Sequence, residues 1–141
     1  MARSEPDLAP VRISERERSR GLFFVGLASA CVGVALTLQI GLNNNFLVGE
    51  IGIGGFQAGL LEAVRESCGI AALGVFVFIA GLAEPVIASL FLVLIAFGLG
   101  SYSLAPTYGW VMILSVTWSL GFHVWTPLPN SMTLALAEPG K

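Results

Sequence analysis

Charged and strongly polar positions cut this chain into long apolar runs. Breaks at Pro, Asn and ionisable residues leave four spans, about 21–42, 56–79, 86–105 and 109–135, each sufficient for roughly 30 Å of hydrocarbon. Stretches such as "LFFVGLASACVGVAL" and "FLVLIAFGLG" are apolar on every side. Strands of a membrane barrel would instead alternate with period two. The pattern therefore predicts an all-α membrane protein with four transmembrane helices, preceded by a tail over 1–20 and followed by a short end over 138–141.

Composition agrees with the pattern. The chain is 55% hydrophobic and 11% charged, with a mean hydropathy of +0.83, outside the range of soluble domains. Most of its charge sits in "MARSEPDLAPVRISERERSR", so little is left to solvate a surface elsewhere. The uncharged stretch "GLFFVGLASACVGVALTLQIGL" is longer than a signal core and lacks a clear small-residue cleavage site, which makes it a first span rather than a secretory signal. Arg3, Arg12, Arg16, Arg18 and Arg20 crowd the beginning, and basic residues are retained in the cytoplasm. The N-terminus is expected inside an inner (plasma) membrane of a bacterial or archaeal cell, with "NNNFLVGEIGIGG" outside and "GLAEP" as an inner turn.

No basic patch or zinc-type spacing points to nucleic acid. Cys31 and Cys68 lie in apolar runs without metal-binding companions and read as small buried residues. With one histidine and no nucleophile–base pair, an enzyme is not expected, and no cofactor is implied. Small residues at helical spacing, Gly26 with Ala30 and Gly55 with Gly59, would let helices approach closely in lipid.

Polar groups inside the spans are the candidate chemistry. In "GLLEAVRESCG", Glu62, Arg65 and Glu66 fall on one side of the second helix within about a turn. They form either a structural ion pair facing a neighbouring helix, or a titratable site in which a second carboxylate raises the first one's proton affinity. A third arrangement, with the helix starting later, leaves them in water. In "GFHVWTPLPNSM", His123, Pro127 and Asn130 share a face, and the prolines remove helical hydrogen bonds. A kink is expected there, with His123 and Asn130 either lining a wet cavity or, for the histidine, hydrogen-bonded in packing. Gln39 and Asn43 make a further polar strip near the outer end of the first span.

Three stretches resemble the N-terminal part of a major facilitator superfamily transporter. They are "QIGLNNNFL", "GGFQAGLLEAVRESCGIAALGVFVFIAGLAEP" and "LGFHVWTPLPNSMTLALAEPGK". The resemblance implies that the first and fourth spans line a central pathway, placing Gln39, Asn43, His123 and Asn130 toward substrate. It makes Glu62, Arg65 and Glu66 candidates for coupling or gating. The family's acidic–basic inner loop is kept only as Gly81 and Glu84, with Pro85 where an arginine is usual. Four spans against the family's twelve lead to the expectation of a truncated N-terminal portion.

The function expected from these residues is secondary active transport of a small solute, with a proton or other ion as coupling partner and membrane lipid as surroundings. The alternative is a complete tetraspan protein, either an accessory subunit or a small exporter. Exporters of that kind rely on a carboxylate in their first span, and this one has none.

Overall fold

The computed structural model describes residues 13–137, and all regular structure within them is helical. Five helices follow one another: α1 (Glu15–Gly49), α2 (Gly55–Ile79), α3 (Glu84–Gly100), α4 (Tyr108–Trp125) and α5 (Leu128–Leu136). A 3-10 turn, Tyr102–Leu104, closes the end of α3. Arg3, Arg12 and the terminal stretch with Lys141 lie outside the described residues.

Among the described residues, three helical segments are long and apolar enough to cross a membrane: Glu15–Gly49, Glu84–Leu104 and Tyr108–Leu136. The remaining expected span falls on α2, whose 25 residues reach about 37 Å. Glu62, Arg65 and Glu66 set it apart from the other three.

The first helix is longer at both ends than its uncharged stretch. Ser14 starts it inside the charged tail: its hydroxyl accepts the Glu17 N–H at 3.3 Å, and the Glu17 carboxylate accepts the Ser14 N–H at 3.1 Å, a reciprocal cap. At the other end "NNNFLVG" continues the helix, so the expected outer loop shrinks to residues 50–54. Asn residues are weak helix formers, but Leu47 is buried against the bundle, and that packing outweighs a few tenths of a kcal/mol of propensity each. Gly52 makes the tight turn, at φ +72°, a left-handed conformation that side-chain-bearing residues resist.

Pro85 stands in the first turn of α3, where its missing N–H costs nothing, beside Glu84 at the positive end of the helix. The expected break in the last span is present. Hydrogen-bonded helix stops at Trp125, Thr126 and Pro127 form a turn, and α5 restarts at Leu128.

The fourth helix is the centre of the bundle, packed on α2 along one side and on α3 along another. Glycines set the distance to α3. A Cβ at Gly98 would lie 2.6 Å from Trp118 Cβ and 2.7 Å from its backbone nitrogen, and one at Gly121 would lie 3.1 Å from the Ile95 nitrogen. Neither helix can approach so closely with a larger residue at these points. A Cβ added at Gly26, Gly55 or Gly59 would meet nothing within 4 Å, which corrects the close contacts expected at the Gly26/Ala30 and Gly55/Gly59 pairs. The spacing alone does not say which side of the helix meets a neighbour.

The first helix is held more loosely. It touches α5 where Gly21 meets Leu136, its Cβ position 2.8 Å from that side chain's Cδ1, and Phe46 meets Tyr102 at the far end with ring centres 5.6 Å apart. Val32 and Leu47 are its buried residues.

Candidate functional site

Polar side chains from α1, α2, α4 and the 3-10 turn after α3 gather in the half of the bundle away from the start of α1. Gln39 Nε2 donates to Asn43 Oδ1 at 3.2 Å along α1, and both amides line one cavity with Tyr102 and Ser103. Tyr102, buried after α3, accepts a hydrogen bond from Ser115 Oγ of α4 at 3.2 Å. Arg65 and Glu62 of α2 lie within electrostatic range of the same hydroxyl. The sequence pattern identified the amides and the charges. It missed Tyr102 and Ser115, whose types are ordinary in a membrane helix, and only the chain's return brings them together.

The α2 charges form one group, as their spacing requires. Arg65 bridges to Glu62 and, at 3.4 Å, to Glu66. Its side chain is 19% exposed against 48% and 66% for the two carboxylates. The guanidinium carbon sits 5.4 Å from the centre of the Trp118 ring, a cation–π distance. Arg65 is therefore directed into the α2–α4 interface, while both acids lie toward the outside of the bundle. Trp118 is buried, and among the described residues its indole N–H has no hydrogen-bond partner.

A ladder of polar contacts continues down the α2–α4 interface. Tyr108 donates to the Gln57 carbonyl at 2.9 Å, and Ser119 Oγ donates to the Arg65 carbonyl at 2.9 Å. Gln57 also caps the start of α2, its side-chain oxygen accepting the Gly54 N–H at 3.1 Å. Cys68 is buried there, as a small apolar residue should be, whereas Cys31 of α1 is exposed.

His123 belongs to this ladder. Its Nδ1 is 2.9 Å from the Ser119 carbonyl oxygen and 3.3 Å from the Ser119 hydroxyl. The other edge of the ring covers Gly69, whose Cβ position is 3.1 Å from His123 Cδ2. With Nδ1 donating to the carbonyl, the Nε2 side is free to accept, and the imidazole serves as a hydrogen-bonded spacer between α2 and α4. Asn130 is exposed on α5, beyond the break, so the structure does not bring it to His123 or to the Gln39–Asn43 pair.

At the opposite end of the molecule, Glu84 accepts a 2.6 Å hydrogen bond from Ser131. This contact ties the start of α3 to α5. Gly81 lies exposed in the preceding turn and makes no close contact at its Cβ position. Among the described residues no group of His, Cys, Asp and Glu is placed to hold a metal ion.

No family model, curated protein or solved structure matches this chain.

Proposed function

We propose that this chain works in the membrane as part of a secondary active transport system for a small solute, in the manner of the major facilitator superfamily. In this reading α1 to α4, with α5, act as the first four spans of that architecture, α2 crosses the bilayer with its charges in the half opposite the N-terminus, and the N-terminus faces the cytoplasm. One observation carries the reading. Two hydrogen-bonded pairs, Gln39–Asn43 on α1 and Tyr102–Ser115 between the turn after α3 and α4, meet at one cavity, near the Arg65–Glu62 pair of α2. Polar side chains along membrane spans are costly unless paired, and polar groups spread over several helices give a solute alternative partners as helices move. Glu62 and Glu66 are the coupling groups in this scheme, because they are partly open while sharing one arginine.

The test is flux. The protein is reconstituted into vesicles loaded with a pH-sensitive dye, and neutral, anionic and cationic solutes are added in turn under an imposed proton gradient. A solute-dependent change of internal pH that Glu62→Gln or Glu66→Gln abolishes is the expected result. Correctly inserted protein that moves no protons with any solute would overturn it.

The loose seating of α1 favours a second reading, a four-helix accessory subunit that holds a larger partner. Stable co-purification with one membrane protein, in the absence of flux, would select it.

A further inference from the structure

The seam between α1 and α3 is open along its length. Three cavities of about 440, 520 and 310 Å³ follow one another there. Ala28 and Leu92 line both the first and the second, and Ala35 and Leu99 line both the second and the third. They make one groove.

Its chemistry changes along the way. The middle section is apolar throughout. The far section ends on Gln39, Asn43, Tyr102 and Ser103, with the Phe46 ring beside Tyr102, and among the described residues no charged side chain lines it. The near section contains Glu84, whose carboxylate is already engaged by Ser131.

We infer that this groove binds a membrane amphiphile with a neutral, hydroxyl-rich head, a glycolipid, its acyl chain in the middle section and its sugar at Gln39, Asn43, Tyr102 and Ser103. Amides and hydroxyls both donate and accept, which suits sugar hydroxyls. A phosphate or ammonium head would meet no opposite charge in that section, so neutral donors and acceptors alone would have to replace its hydration. Length agrees with one acyl chain: from Ala28 to Gln39, where the head begins, the axis of α1 rises about 16 Å, roughly half of a ~30 Å hydrocarbon core. The position of the head agrees as well. Asn43 and Tyr102 lie near the ends of their helices, the level at which tyrosine is enriched at membrane interfaces. The site does not depend on transport.

The experiment uses the full chain in phosphatidylcholine bilayer discs containing equal small amounts of a monohexosyl diacylglycerol, a phosphatidylethanolamine and a phosphatidylglycerol. Protein is released in a detergent without a sugar head, and retained lipids are counted by native mass spectrometry. Preferential retention of the hexosyl lipid is expected, falling about five- to ten-fold in Asn43→Leu through loss of its hydrogen bonds. Ala96→Leu, which fills the middle section and lines neither of the other two, should lower retention of every lipid. Tyr102→Phe serves as the second head-group variant if Asn43→Leu does not insert. Equal retention of the three lipids would overturn the inference, as would a preference unchanged in these variants. Displacement of the hexosyl lipid by free glucose would also overturn it, because the site would then recognise a soluble sugar.

Discussion

Two seams of this bundle are built from similar residues and pack in opposite ways. Where α3 meets α4, Gly98 and Gly121 let one backbone rest on the other, with Cβ positions at 2.6 to 3.2 Å from neighbouring atoms. Where α1 faces α3, small residues such as Ala28 and Ala35 line a groove instead. Hydrophobicity does not separate the two, since lipid is as apolar as either face. What separates them is whether small residues on one helix oppose backbone on the next, the condition for close van der Waals packing in a membrane.

The largest effect should follow from Gly98→Leu. The added side chain runs into the Trp118 backbone, and a cost of about 3 kcal/mol or more is expected, read as loss of the folded fraction in a detergent denaturation series. Gly121→Ala probes the same seam more gently. Its methyl group meets backbone atoms of Ile95 and Phe91 at 3.1 and 3.2 Å, so a loss of about 1–3 kcal/mol is expected by the same measurement.

Ser119→Ala removes the hydroxyl that joins α4 to the Arg65 carbonyl. Interhelical hydrogen bonds of this kind average about 0.6 kcal/mol, a small shift in the denaturation midpoint. On the loose side, Gly33 of α1 has nothing within 4 Å of its Cβ position. Gly33→Ala should therefore stabilise the protein by about 0.5–1 kcal/mol through helix propensity. A destabilising Gly33→Ala would show that α1 is packed more tightly than this seam, and a harmless Gly98→Leu would remove the contrast altogether.

Much of the fold was legible in the linear pattern. Three of the four expected spans fall on helical segments long and apolar enough to cross a membrane, the other falls on α2, and the Pro127–Pro129 region interrupts the last one, because an apolar run and a missing N–H act locally. Grouping Glu62, Arg65 and Glu66 needed only helical spacing. Helix ends were less legible. Ser14 and Glu17 carry α1 into the charged tail, and "NNNFLVG" extends it past the amides, where reciprocal capping and the burial of Leu47 prevail over local propensity. Glycine spacing misled, since the pairs chosen from it face open space while Gly21, Gly69, Gly98 and Gly121 make the contacts.

The sequence by itself determined a helical, membrane-suited chain and the presence of a charged turn on α2, since both depend on side-chain polarity and a fixed helical period. Only the tertiary structure decided that Ser115 bonds Tyr102 and that Tyr102 shares a cavity with Gln39, that His123 spaces two helices while Asn130 faces outward, and that α1 leaves a groove. These depend on which face of each helix meets another. In a chain apolar on nearly every face, hydrophobic patterning cannot set that rotation; the fit of glycine to backbone and of polar group to polar group does.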